Sequence, residues 1–271
     1  MKKIGFVDYR IDEWHANNYP GWIDEASKAL GLDYKVSYAY ASENAPEGRT
    51  TEEWCRDFGV TRCESIEELC EKSDVILVLA PSNPETHLAF AEAVLPYGKP
   101  TYIDKTFAPD TETALKIFEL ADRYHTPLFS SSALRYATEL DTFAGCKQVI
   151  TCGGGSNAPE YLIHQAEMVI KLIKDEPVRF EAVQQGSQCV FHAEFAGGAS
   201  AMMVYARSFP FGICAEKPDG EETNVTVTSD TFGGLIRDIL RFYESGEPSF
   251  DRAQTINVMR LREGALRALQ G

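Results

Sequence analysis

Apolar and polar positions follow two different patterns along this chain of 271 residues, and the change comes near Ser130. Before it, short apolar runs alternate with segments of helical spacing. Strands are predicted at Lys3–Val7, Lys35–Ala41, Asp74–Ala80, Pro100–Ile103 and Pro127–Ser130. Helices are predicted at Pro20–Leu30, with its proline in the first turn, and at Thr51–Phe58, Ser65–Lys72, Pro84–Leu95 and Asp110–Tyr124. Ser65 and Glu68 form a capping-box pair. The continuous apolar run Asp74–Ala80 suits a strand covered on both faces. Strands alternating with helices predict a doubly wound, parallel, Rossmann-like sheet over residues 1–130.

After Ser130 the elements predicted are a strand at Gln148–Thr151, a glycine loop Cys152–Ser156 and a strong helix at Pro159–Lys174. Strand-like stretches follow at Val178–Gln184, Cys189–Phe195, Ala199–Ala206 and Asn224–Thr228, then helices at Thr231–Ser245 and Gln254–Leu269. Gly-containing turns between strands suggest hairpins. Residues 131–271 are therefore expected to form an α+β domain. Its sheet is expected to be open and mostly antiparallel, with the C-terminal helix a candidate to pack back on the first domain.

Composition narrows the function classes. The formal net charge of −15 weighs against a nucleic-acid or anionic-membrane partner, because both need basic patches. No apolar run approaches the ~18–20 residues of a membrane span, and Met-Lys-Lys leads directly into a strand, so a cytoplasmic protein is expected. The seven cysteines include no Cys-x-x-Cys pair and none stands near a histidine pair at zinc spacing. Reduced structural thiols and no metal are expected.

The chemistry concentrates at Asp74-Val-Ile-Leu-Val-Leu-Ala-Pro-Ser-Asn-Pro-Glu-Thr-His87 and Gly98-Lys-Pro-Thr-Tyr-Ile-Asp-Lys105-Thr. Lys105 ends a predicted parallel strand, where open α/β sheets bind ligands. Ala80-Pro-Ser-Asn-Pro-Glu-Thr-His87, Asp104-Lys105-Thr106, Leu134-Arg135-Tyr136, Glu160-Tyr-Leu-Ile-His164-Gln-Ala-Glu167 and the closing helices resemble, in order, the Gfo/Idh/MocA family's TPNxxH turn, its Glu-Lys-Pro, its interdomain segment, its Asp-x-x-x-His-x-x-Asp helix and its tail.

That resemblance implies NAD(P)-dependent oxidation or reduction of a sugar, polyol or derivative, with Lys105 and His164 flanking the reacting carbinol. A neutral histidine suits the proton, the lysine stabilises developing alkoxide, and Glu160, four residues before His164, orients the imidazole or holds a sugar hydroxyl. The candidate cofactor-facing residues are Asp8, Tyr9, Arg10, Ser42, Ala80, Pro81, Asn83, His87 and Asp104. For His87, backbone bonding within the loop stands equally open. His15, His125 and His192 are assigned to structure or surface. Glu216-Lys217-Pro218 spells the tripeptide but follows no parallel strand, and is rejected. A homo-oligomer, dimer or tetramer, is expected by resemblance.

One part of the family pattern is missing. Gly5-Phe-Val-Asp8-Tyr9-Arg10-Ile-Asp12-Glu13-Trp14-His15 lacks the Gly-x-Gly-x-x-Gly turn and puts three carboxylates where a pyrophosphate belongs. The second strand also ends without an acidic residue for the ribose, leaving Ser42 with Arg49 as candidates for a 2′-phosphate. The alternative is therefore a cofactor-independent lyase or epimerase, or a non-catalytic sugar-binding or regulatory protein.

Overall fold

The computed structural model describes residues 1–217 and 220–270, so Pro218 of the rejected tripeptide lies outside the described residues. The chain divides into two compact units: Met1–Ser130 with Ile236–Phe250, and Ser131–Leu235 with Asp251–Gly271.

The first unit runs β1 (Lys2–Asp8), α1 (Trp14–Leu30), β2 (Tyr34–Ala41), α2 (Thr51–Phe58), β3 (Thr61–Arg62), α3 (Ile66–Lys72), β4 (Val75–Val78), α4 (His87–Val94), β5 (Thr101–Ile103), α5 (Thr111–Tyr124) and β6 (Leu128–Phe129). Its sheet has the order β3-β2-β1-β4-β5-β6, with every pair parallel. β1 is buried from Ile4 to Asp8 and β4 throughout, as strands covered on both faces require. Strand order reverses between β1 and β4. The crevice beyond their carboxyl ends is the topological switch point, where doubly wound sheets bind ligands.

Helix α1 departs from expectation. It begins at Trp14, and Pro20 lies inside it. Two causes combine: the Glu13 carboxylate caps the first turn, and the buried Ala16, Tyr19, Ile23 and Ala26 extend the apolar stripe upstream of the proline.

The second unit runs β7 (Gln148–Gly153), α6 (Ala158–Ile173), β8 (Pro177–Gln185), β9 (Gln188–Phe195), β10 (Ser200–Tyr205), β11 (Gly212–Glu216), β12 (Glu222–Thr226), α7 (Thr231–Ser245) and α8 (Arg252–Ala268); α7 crosses into the first unit after Leu235. The sheet order is β12-β11-β7-β10-β9-β8. β7 and β10 pair in parallel and the other four pairs are antiparallel. β11 escaped prediction because Pro210 and Gly212 give its start the look of a loop. Glu216 ends that antiparallel strand, which agrees with rejecting the tripeptide. No helix among the described residues is long and apolar enough to cross a membrane.

Candidate functional site

The last residue of β1 ties two strand ends together. Asp8 Oδ1 accepts from the Ala80 amide (3.1 Å), just beyond β4, and from the Arg10 amide (3.2 Å). Ala80 is held at φ 58°, a left-handed conformation that costs an L-residue on the order of 1–2 kcal/mol. Pro81 follows it, buried, and the Asn83 amide returns to the Ala80 carbonyl at 3.0 Å. His87 is fully buried at the start of α4. Its Nε2 lies 2.7 Å from the Leu79 carbonyl and its Nδ1 3.1 Å from the Phe107 carbonyl. Burial pushes its pKa down. Both ring nitrogens face backbone, so the ring acts as a clamp between the chain after β4 and the chain after β5.

Asp104 and Lys105 follow β5 directly. Asp104 is fully buried, accepts from the Lys105 amide at 2.8 Å through Oδ1, and pairs through Oδ2 with His15 Nδ1 in the first turn of α1. Burial pushes the Asp104 pKa up, but the His15 imidazole and the Lys105 charge outweigh it and hold the carboxyl below its usual range. His15 stacks on Tyr19, ring centroids 5.1 Å apart. Lys105 is half-buried and its peptide bond to Thr106 is cis. Its backbone is thus fixed by a buried carboxylate at the crevice.

The β1–α1 turn is filled by its own side chains. Glu13 is the N-cap of α1 and its carboxylate accepts from the amides of His15 (2.8 Å) and Ala16 (2.5 Å). Asp12 is bound by Arg49 (2.7 Å to Nη2, 2.7 Å to the amide) and Asn17 (2.9 Å). Burial opposes ionisation of Asp12, yet these partners bring its pKa down to about 2. Arg49 is therefore committed, while Ser42 is exposed with its amide on the Asp8 carbonyl. Arg10 pairs with Glu43 at 3.0 Å and lies over the Tyr9 ring.

These residues do not fit a dinucleotide pyrophosphate. The helix amides that would receive it are taken by Glu13, and Asp8 Oδ2 is buried with no hydrogen-bond partner.

That orphaned oxygen carries a prediction. Burial first, and then the Glu13 charge, raise the Asp8 pKa well above its ordinary 3.8, against the amides of Arg10 and Ala80. A raised folded-state pKa gives stability that is full below the ordinary value and lost as pH rises through the folded one. Asp8→Asn keeps an acceptor for both amides and removes the charge. It is expected to gain about 1–3 kcal/mol at neutral pH, shrinking towards zero below pH ~4. Urea unfolding from pH 3 to 8 checks this; a gain that does not vary with pH, or a loss, contradicts it.

In the second unit, His164 and Glu160 both lie on α6. His164 Nδ1 is 2.7 Å from Ser132 Oγ, and its ring meets Tyr161 and Phe211 edge-on. Ser132 is fully buried. Its amide donates to Glu167 Oε2 (3.2 Å), and Glu167 Oε1 accepts from Arg135 Nε at 2.6 Å. The Arg135 Nη groups reach Gln254 Oε1 at 3.1 and 2.8 Å. Glu160 Oε2 accepts from Ser156 Oγ (3.0 Å) and Asn157 Nδ2 (3.2 Å), closing the first turn of α6.

Sequence reasoning did not give five residues the roles they have in the structure: Glu13, His15, Ser132 and the paired Arg135 and Glu167. A signal existed for the last, since Arg135 and Glu167 are charged residues inside otherwise apolar elements. Glu13 gave little signal, because glutamate is not among the favoured N-caps. Among the described residues no group of three or more His, Cys, Asp and Glu is placed to hold a metal. The seven cysteines form no disulfide, and burial pushes the Cys55 and Cys63 thiols to about 11 and Cys70 to about 12.

Residues 28–131 match the model of an oxidoreductase family with an NAD-binding Rossmann fold, Gfo/Idh/MocA. No curated protein matches the chain. Among solved structures, UDP-N-acetylglucosamine 3-dehydrogenase GnnA from Acidithiobacillus ferrooxidans superposes with a TM-score of 0.76 at 16% identity, covering 98% of this chain and 97% of that one. The dehydrogenase MviM from Clostridium difficile gives 0.74 at 14%, covering 98% and 99%. GenD2 from gentamicin A biosynthesis, in complex with NAD, gives 0.75 at 14%, covering 100% and 95%. At these identities the likeness is one of fold.

Proposed function

We propose, for a chain that belongs over residues 28–131 to the Gfo/Idh/MocA family of NAD-binding Rossmann oxidoreductases, that it transfers protons on a sugar, polyol or derivative with Lys105 as the acid–base group. The observation that carries this is the placement of Lys105: half-buried, directly after β5, its amide fixed by the buried Asp104 beside the switch point. A lysine there takes the proton from a carbinol hydroxyl, or returns it to the alkoxide. The resemblance gives His164 a proton-transfer role in the same reaction. The Ser132–His164 hydrogen bond supports that role by fixing the imidazole.

Two overall reactions use an acid–base group at this place: an oxidation or reduction moves the carbinol hydroxyl proton, and a lyase or epimerase moves a proton on carbon. NAD(P)-dependent oxidation or reduction is supported by the family match and by the fold shared with sugar-acting dehydrogenases such as GnnA. A cofactor-independent lyase or epimerase is supported by the capped β1–α1 turn. Incubating the protein with sugars, polyols and nucleotide sugars, with and without NAD or NADP, separates them. Conversion that requires the dinucleotide identifies the first and conversion without it the second; no conversion of any compound contradicts both.

A homo-oligomer is part of the same reading. The face of the second sheet turned away from α6 and α8 carries Val183, Val190 and Val204 in one cross-strand row and Met202 and Ile150 in the next. Ile150 is 44% and Val183 69% exposed, an apolar surface of the kind that marks an interface. Wild-type protein is expected to sediment as a dimer or tetramer and Met202→Glu as a smaller species. A monomeric wild type, or a variant assembled like wild type, contradicts this.

A further inference from the structure

At the β1–α1 turn this chain departs from a dinucleotide-binding sheet, and the departure is a positive construction rather than a mere lack of glycine. Three features build it, all within the first unit. First, Glu13 occupies the amides of His15 and Ala16 at the head of α1, a helix of 17 residues. The exposed N–H groups of such a head and its dipole are what attract a phosphate; here a carboxylate of the same chain already neutralises them. Second, Asp8 and Asp104, at the ends of β1 and β5, are both fully buried. One Asp8 oxygen has no partner, so an anion entering the turn meets a carboxyl group whose second oxygen no hydrogen bond satisfies. Third, Arg10 is paired with Glu43 and Arg49 with Asp12, and the His15 ring is engaged by Asp104.

We propose that Glu13 is a built-in competitor for the phosphate end of a dinucleotide: its carboxylate holds the α1 N-terminus, and a nicotinamide dinucleotide enters the β1–α1 turn only when that carboxylate leaves. The proposal rests on the switch point as the ligand site but not on Lys105 as the proton-transferring group. The energetics follow from charge. A pyrophosphate must give up solvation, break two hydrogen bonds to the Glu13 carboxylate and lie against carboxyl groups, whereas Glu13 is tethered and holds its place without loss of translational freedom.

The test is calorimetric titration of the whole protein with NADH, NADPH and inorganic pyrophosphate. Four proteins are compared: wild type, Glu13→Gln, Glu13→Gly and Glu47→Gln, the last removing one charge from the connection after β2. Glu13→Gln keeps an oxygen to cap the helix, so one variant retains the fold if the glycine does not; thermal unfolding checks both. Dissociation constants for at least one dinucleotide are expected to tighten by about tenfold or more in both Glu13 variants, and Glu47→Gln is expected to match wild type. Wild-type binding as tight as that of the Glu13 variants, or Glu13 variants that bind no better than wild type, overturns the proposal. The experiment reads binding alone, so its failure is distinct from a failure of Lys105 to affect turnover.

Discussion

Glu167→Met is expected to lower the free energy of unfolding by about 3–5 kcal/mol, the cost of stranding one member of a buried ion pair. Arg135 and Glu167 are about 5% and 4% exposed, and the guanidinium Nε sits 2.6 Å from the carboxylate. With Glu167 gone, Arg135 loses the carboxylate on its Nε, and the amide oxygen of Gln254 is a neutral acceptor that does not replace that charge. The Ser132 amide also loses its acceptor. The double variant Arg135→Met/Glu167→Met is expected to recover most of the loss, because replacing a whole buried pair by apolar side chains is often close to neutral. Chemical denaturation of the three variants and wild type decides it. A double variant as unstable as Glu167→Met removes the stranded charge as the cause. Since Ser132 links Glu167 to His164, the same variant is expected to change the His164 ring resonances in proton NMR.

The sequence made the first sheet legible because its strands are short, apolar and separated by capped helices: Asp74–Ala80 encloses β4, and Ser65 does cap α3 through the Glu68 amide. Where the pattern misled, local chemistry overrode it. Pro20 looked like a helix start, yet Glu13 supplies an earlier cap and the buried stripe carries the helix through the proline. No strand is predicted between Ala206 and Asn224, yet β11 runs from Gly212 to Glu216. The location of Lys105 was readable because a strand end is a one-dimensional feature. The partners Asp104–His15, Ser132–His164 and Arg135–Glu167 were not, since each joins residues at least 32 positions apart, beyond any spacing rule. The missing glycines signalled an unusual β1–α1 turn; only the structure reveals that Glu13 fills it.

Lys105→Met is expected to lower turnover by about 10²–10⁴-fold, the usual share of a positioned acid or base. Methionine keeps an unbranched stem of similar length and removes the ammonium, while the Lys105 amide, which anchors the backbone to Asp104, is untouched. The unfolding midpoint is therefore expected to stay close to that of wild type. Lys105→Arg divides the role further. Arginine retains the charge but does not release its proton near neutral pH. Activity lost in both variants identifies proton transfer, whereas rescue by arginine leaves the lysine a purely electrostatic part.

The measurement that bears most directly on the central claim is proton NMR of a sugar, polyol and nucleotide-sugar panel in heavy water, with and without NAD or NADP, comparing wild type and Lys105→Met. Oxidation, elimination, epimerisation and solvent exchange at carbon each leave a distinct signature in one spectrum. Wild-type protein is expected to convert at least one compound and Lys105→Met to leave the same compound unchanged over the same time. Conversion by Lys105→Met at the wild-type rate, or no conversion by wild type of any compound, contradicts the assignment of Lys105 as the acid–base group.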